Sequence, residues 1–163
     1  MTRVLDASLV SRLCHPGKRQ YRPVARWIDG LLADRREPQR IVVPEIADFE
    51  VRRKLLHLIL RGQASERSLI RLDDLAVTLV YLPLNTVAMR RAAELWADAR
   101  LRGQPTAPER ALDSDVILAA QALGVSGTVV TTNPRHLGRY VAVESWLDIE
   151  PGLQNSLEGG HPC

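Results

Sequence analysis

Ile41-Val42-Val43-Pro44-Glu45-Ile46-Ala47-Asp48-Phe49-Glu50 changes periodicity in mid-course. Ile41-Val42-Val43 is a short β-branched run of the kind that lies buried in a sheet. Pro44 ends it at a position that favours the first turn of a helix. From Glu45 to Leu60 the spacing predicts one long helix, stopped near Gly62. A buried strand feeding directly into a helix is half of a βαβ unit.

The alternation recurs on both sides. Val4-Leu5 is an apolar run ending at Asp6, and Ala7 to Leu13 has room for a helical turn or two before His15-Pro16-Gly17-Lys18 breaks it. Tyr21 to Ala33 carries Val24, Trp27, Ile28, Leu31 and Leu32 at helical spacing. A polar helix around Ser65 to Leu75 leads to a strand over Val77 to Leu82, closed by Pro83. Asn85 to Arg102 reads as a helix capped by Asn85 and stopped at Gly103. Gln104 to Arg110, with two prolines, is a loop. Asp113 to Leu123 is a strongly apolar helix with Asp113 as its cap and Gly124 as its stop. Thr128 to Thr132 is a strand, Asn133-Pro134 starts another helix, and Val141 to Val143 is a short last strand. Strands of about four residues alternating with helices imply an α/β fold in three layers, with a mainly parallel sheet of four or five strands between helices. Residues 1–150 form one domain, and 151–163 have little to bury and read as a flexible tail.

Composition agrees. Hydrophobic residues make up 45% of the 163, aromatics only 4%, so the core is aliphatic. The two cysteines, Cys14 and Cys163, make neither a disulfide framework nor a cysteine-rich zinc site. No signal peptide or membrane-length apolar run is evident, which makes the cytoplasm the expected compartment. The net charge of +3 is modest. Its clusters, Arg52-Arg53-Lys54 and Arg90-Arg91 among them, suit phosphates but are equally the ordinary solvated faces of helices.

In open parallel sheets, ligands sit outside the carboxyl ends of the strands. Asp6 stands at such an end, where its ordinary role is a helix N-cap. Glu50 falls on the shoulder of its helix's buried face, beside Phe49; its ordinary role is a surface pair with Arg53 or Lys54. Asp48 points to nearly the opposite side. Asp115 lies in the first turn of an apolar helix, where the helix dipole favours it whatever its function. Thr131-Thr132-Asn133-Pro134-Arg135-His136 follows another strand, and its oxygens suit a hard cation. Each residue has a structural explanation. Together they are carboxylates gathered at strand ends, whose mutual repulsion a divalent cation relieves. Such an ion beside a phosphodiester activates water and stabilises the leaving oxygen.

Other folds of this layer pattern are excluded. A receiver domain needs an acid where Val42-Val43-Pro44 stands, and a dinucleotide-binding fold needs a glycine-rich first turn, whereas no glycine follows Asp6 before Gly17. His15-Pro16-Gly17-Lys18-Arg19 lacks the remainder of a phosphate loop. Gly124-Val125-Ser126-Gly127 is one residue too short for a nucleophile elbow.

The segments that carry these acids resemble the PIN-domain nucleases over roughly residues 3 to 147. Val4-Leu5-Asp6-Ala7-Ser8-Leu9-Val10 looks like the family's first strand and its metal-binding Asp. Val43 to Val51 is similar to the second block, whose Glu stands six residues after the strand-ending Pro, which selects Glu50. Asp115-Val116-Ile117-Leu118-Ala119-Ala120-Gln121-Ala122 resembles the third block, and Val129 to Leu137 the fourth. The resemblance implies a ribonuclease dependent on Mg²⁺ or Mn²⁺, with Asp6, Glu50 and Asp115 as metal ligands and Asn133 completing the catalytic set. Arg53 and Arg135 would meet RNA phosphates. It also implies a toxin held inactive by a small antitoxin, and a homodimer. Many relatives carry a further acid where this chain has Asn133 and His136, so one firmly held ion is expected, with Asp113 nearby. The alternative is a PIN-like module that grips RNA or a protein partner without cutting.

Overall fold

The computed structural model describes residues 1–15 and 17–151. The strands β1 (Thr2–Leu5), β2 (Arg40–Pro44), β3 (Val80–Leu82), β4 (Thr128–Thr131) and β5 (Val143–Ser145) form one sheet in the order β3-β2-β1-β4-β5. Every pairing in it is parallel. The helices are α1 (Ala7–Leu13), α2 (Arg22–Ala33), α3 (Glu45–Leu60), α4 (Arg67–Thr78), α5 (Thr86–Leu101), α6 (Ser114–Gly124) and α7 (Pro134–Leu137), with a 3₁₀ turn at Arg19–Tyr21.

Strand side chains alternate between two cores, which is what makes three layers. Leu5, Ile41, Val43 and Val130 face a core built with Leu9, Val24, Val51 and Leu72 of α1 to α4. Val4, Val42 and Val129 face the opposite core, with Ala92 and Leu95 of α5 and the apolar run of α6. Gln121, only 2% exposed, ties the second layer to the sheet. Its amide nitrogen donates to the Leu82 carbonyl, and its oxygen accepts from the Ile46 N–H. A buried amide is tolerated because both ends are matched. No helix of the described residues is long and apolar enough to cross a membrane.

The α3 boundaries fall where the spacing puts them. Gly103, at φ +67°, ends α5 by a left-handed turn in which the Gln104 N–H bonds the Ala99 carbonyl, and a side chain there would strain it. Three expectations are corrected. Val77 to Leu79 are not strand: the Leu79 N–H still bonds the Leu75 carbonyl, Val77 is 87% exposed, and β3 starts at Val80. The last strand is not Val141 to Val143, because the Val141 N–H is taken by the turn carbonyl of Leu137; pairing with β4 begins at Val143. Gly124 is the final residue of α6 rather than its stop. The reversal is made by Ser126 at φ 49° and by the Gly127 N–H on the Ala122 carbonyl. Residues 146–151 are helical, so Pro151, expected to open the tail, belongs to a helix instead; the rest of the expected tail, 152–163, lies outside the described residues.

Candidate functional site

Strand order reverses at β1, with β2 and β3 to one side and β4 and β5 to the other. The crevice between the carboxyl ends of β1 and β4 is where such a sheet offers a site. Asp6 follows β1 directly, Thr131 ends β4, and Thr132 and Asn133 come just after it.

Asp6 is buried and caps α1. Its Oδ1 accepts from the Leu9 N–H at 3.0 Å and from Ser8 Oγ at 2.6 Å, while Oδ2 accepts from Thr131 Oγ1. Thr131 Oγ1 in turn accepts from the Asn133 N–H at 2.9 Å, and Thr132 Oγ1 donates to Ser8 Oγ at 3.0 Å. The two strand ends are thereby laced together by hydroxyls. Oδ1 has both its lone pairs engaged, whereas Oδ2 keeps one beyond its bond from Thr131.

The second group of acids lies where α3 packs on α6. Glu50 is half-buried, and its Oε1 accepts from Ser114 Oγ at 2.9 Å and from the Arg53 guanidinium at 3.4 Å. Asp115 follows Ser114 in the first turn of α6. Burial pushes its carboxyl above the ordinary range, and the negative charges of Asp113 and Glu50 push the same way. His136 opposes them, with Nδ1 3.5 Å from Asp115 Oδ2. Asp113 is not the side-chain cap of α6 that the sequence suggested. Both its oxygens accept instead from Thr106 Oγ1, at 2.9 and 2.7 Å, which anchors the preceding loop; Tyr140 Oη lies 3.2 Å from the same hydroxyl.

Glu50, Asp113, Asp115 and His136 thus share one electrostatic environment. Asp6 stands on the neighbouring strand end, and a cleft of about 640 Å³ runs from its helix partner Ser8 to Glu50 and Arg53. Asn133, Arg135 and His136 are exposed and do not line this cleft. Among the described residues, no group of three or more His, Cys, Asp or Glu side chains is disposed to hold a metal ion. The donor set at Glu50 and Asp115 nevertheless fits a hard divalent cation: two oxygen ligands, one of them held against charging by its acidic neighbours, with solvent for the remaining positions.

Sequence reasoning passed over Ser8 and Ser114, whose hydroxyls hold Asp6 and Glu50; each lies within two residues of an acid already singled out, the only signal available. It misjudged Phe49, which is 45% exposed beneath the Arg53 guanidinium rather than in the core. Asp48, on the face opposite Glu50, is buried in a separate network. It accepts from Arg52 at 2.8 Å and from the Tyr81 hydroxyl at 3.2 Å, and Arg52 also reaches Asp73 at 2.7 Å. Burial and the Asp48 charge push the Tyr81 phenol up to about 12.

A family model described as PIN domain matches residues 3–141. The fold is similar to that of VapBC2 from Rickettsia felis, solved with a DNA fragment from its promoter. That comparison gives a TM-score of 0.66 at 17% identity, over 90% of this chain and 99% of the other. VapBC-1 from nontypeable Haemophilus influenzae gives 0.67 at 18% identity, again over 90% and 99%. FitAcB from Neisseria gonorrhoeae gives 0.61 at 22%, over 86% and 95%. Comparison with curated protein sequences found no match.

Proposed function

Because this chain belongs to the PIN domain family, we propose that it is an endoribonuclease that hydrolyses RNA phosphodiester bonds with the help of Mg²⁺ or Mn²⁺. The observation that carries the reading is the state of Asp115: its carboxyl is crowded by burial and by two further acids, and only His136 opposes them. Repulsion of that kind is relieved by a cation. Asp115 and Glu50 would hold the ion, joined by Asp6 from the adjacent strand end, with Asn133 completing the shell through its amide oxygen or a water. When bound, the ion supplies a water of lowered pKa and a positive charge beside the scissile phosphate.

The remaining work belongs to the protein. Ser114 Oγ pins Glu50 Oε1, which leaves Oε2 to orient the attacking water and take its proton. Ser8 and Thr131 keep Asp6 in one rotamer, so that little ordering is left for the moment of binding. Arg53, half-exposed and only loosely paired with Glu50, turns to the substrate phosphates, as does the exposed Arg135.

The likeness to VapBC and FitAcB supports a toxin silenced by a cognate antitoxin; that it acts in the cytoplasm as a homodimer is part of the same proposal. A second reading, a PIN-like module that binds RNA or a protein without cutting, is favoured by one feature: both Asp6 oxygens already accept hydrogen bonds. Purified protein, Mn²⁺ and a labelled structured RNA separate the two. Wild type is expected to cut, and Asp6→Asn and Asp115→Asn to lose cutting by two orders of magnitude or more. Equal cleavage by all three would sink the nuclease reading, and RNA binding without cleavage would establish the second.

A further inference from the structure

Glu50 does not carry its charge unanswered. Its Oε1 accepts from Ser114 Oγ at 2.9 Å and from the Arg53 guanidinium at 3.4 Å, so both lone pairs of that oxygen are engaged. Ser114 reaches it from α6, whereas Arg53 stands one turn further along α3 itself. The Arg53 guanidinium carbon also lies 5.2 Å from the centre of the Phe49 ring. Phe49 and Glu50 precede Arg53 at the two spacings that bring helical side chains together. The helix alone therefore sets the guanidinium beside the acid, against a ring that is 45% exposed and belongs to neither core.

This pair is built to be exchanged. The Arg53 side chain is 55% exposed and that of Glu50 27%. An exposed ion pair of such length contributes little to stability, so giving it up costs little. Its electrostatic effect is larger. Among the described residues Arg53 is the one cation paired with Glu50. The partner of Asp115 is His136, charged only when protonated, whereas a guanidinium stays charged at every working pH. The permanent positive charge at these acids is therefore the one on Arg53. A divalent cation held by Glu50 and Asp115 would have that like charge for a neighbour.

We propose that Arg53 is the internal counter-cation of the metal-free site, neutralising Glu50 until a divalent ion is bound and then swinging out to a phosphate; this rests on the reading of Glu50 and Asp115 as metal ligands and adds a competition to it. One side chain then links two ligands. Release from Glu50 makes the guanidinium available to a phosphodiester, and a phosphodiester that draws it away leaves Glu50 to the ion. Each ligand favours the other by the same factor. No packed element has to move, because the hydrogen bond and the ring contact of Arg53 both lie within its own helix.

The test needs no RNA. Mn²⁺ is titrated into metal-free protein and the free ion is followed by electron paramagnetic resonance. Arg53→Gln should tighten Mn²⁺ binding on the order of tenfold, the effect of one unit charge a few ångströms from a divalent ion at a solvated surface. Arg53→Lys keeps the charge and should bind close to wild type, and Asp115→Asn should lose binding. Modification by phenylglyoxal, mapped to Arg53 by mass spectrometry, reads the displacement itself. Saturating Mn²⁺ should speed it several-fold in wild type and not in Asp115→Asn, while Glu50→Gln should react fast without metal. Matched circular dichroism melts check that every variant is folded. If wild type binds Mn²⁺ through Asp115, then equal or weaker binding by Arg53→Gln, or Arg53 reactivity indifferent to Mn²⁺, overturns this proposal and leaves the metal reading standing. Absence of Mn²⁺ binding by wild type and Arg53→Gln alike sinks the metal reading and this proposal with it.

Discussion

Replacing Asp6 by alanine and by asparagine separates what its carboxylate does for the fold from what it does for chemistry. Alanine removes the acceptor of three hydrogen bonds, from the Leu9 N–H, Ser8 Oγ and Thr131 Oγ1. Loss of an Asp N-cap costs about 1 kcal/mol. The Thr131 side, fully buried, has no water to turn to, and a stranded buried hydroxyl adds about 1–3 kcal/mol. Ser8 is half-buried and retains its bond from Thr132, so it adds little. The sum is about 2–4 kcal/mol, or roughly 4–16 °C in Tm for a domain of this size. Asparagine keeps the capping oxygen, caps as well as Asp does, and can donate its amide to the Thr131 oxygen although the hydroxyl proton loses its acceptor, so its cost stays below that of alanine by at least the cap's about 1 kcal/mol. Both variants lose the charge, and both should lose cleavage. Urea unfolding in EDTA gives the stabilities and Mn²⁺-dependent cleavage gives the activities. The reasoning fails if asparagine destabilises as much as alanine, or if the asparagine variant still cuts at the wild-type rate.

Asp115→Asn should make the metal-free protein more stable at neutral pH. A carboxyl whose folded pKa is raised stabilises the fold only while protonated, and that contribution is lost as pH rises through the raised value, so at neutral pH the charge is a liability; melts in EDTA at pH 7 read the sign. Mn²⁺ at a hundred times its Kd should raise the wild-type Tm by about 5–11 °C and leave the Asp115→Asn variant unmoved. Gly127→Ala should cost about 1–3 kcal/mol by overpacking, because a Cβ there would stand 2.7 Å from Val4 Cγ2 in the most buried part of the sheet; denaturant unfolding measures it. Arg52→Ala leaves the buried Asp48 with only the Tyr81 hydroxyl and should cost about 1–3 kcal/mol without touching RNA cleavage, which urea melts and the cleavage assay read separately.

The elements that were legible in the sequence are those whose local signal and tertiary role coincide. Pro44 both ends β2 and opens α3, and Asn85 caps α5 by accepting from the Ala88 N–H, so pattern and structure agree. The errors lie where tertiary context overrides propensity. Val77 is β-branched and precedes a strand, yet the helix ahead of it continues, because its side chain has nothing to pack on and the backbone bond to Leu75 is free to form. The same holds at the site. Acids at strand ends were visible by position, but their partners were not. Ser114 meets Glu50 across 64 residues and Thr131 meets Asp6 across 125, and no spacing rule reaches that far. Asp113 looked like a cap from its position before an apolar helix and became a loop anchor, because Thr106 is folded back onto it.

What unites these observations is register. β1 and β4 pair so that Leu5 lies beside Val130, which sets Asp6 and Thr131 one residue further along, where the hydroxyl reaches the carboxylate. A slip of one residue would invert the faces of β4, putting Val130 in the wrong core and Thr131 away from Asp6. The device that resists the slip lies at the other end of the strand. Gly127 packs against Val4 so closely that no side chain fits, and the turn through Ser126 delivers β4 to that contact. The glycine that closes the amino end of the sheet therefore governs the geometry of the acids at its carboxyl end. Charged groups that repel one another are kept at a fixed spacing by an aliphatic frame that has no chemistry of its own. That division lets the Asp115 charge be unfavourable to stability at neutral pH without loosening the scaffold, since Val4, Val42 and Val129, fully buried in the sheet, carry none of the charge.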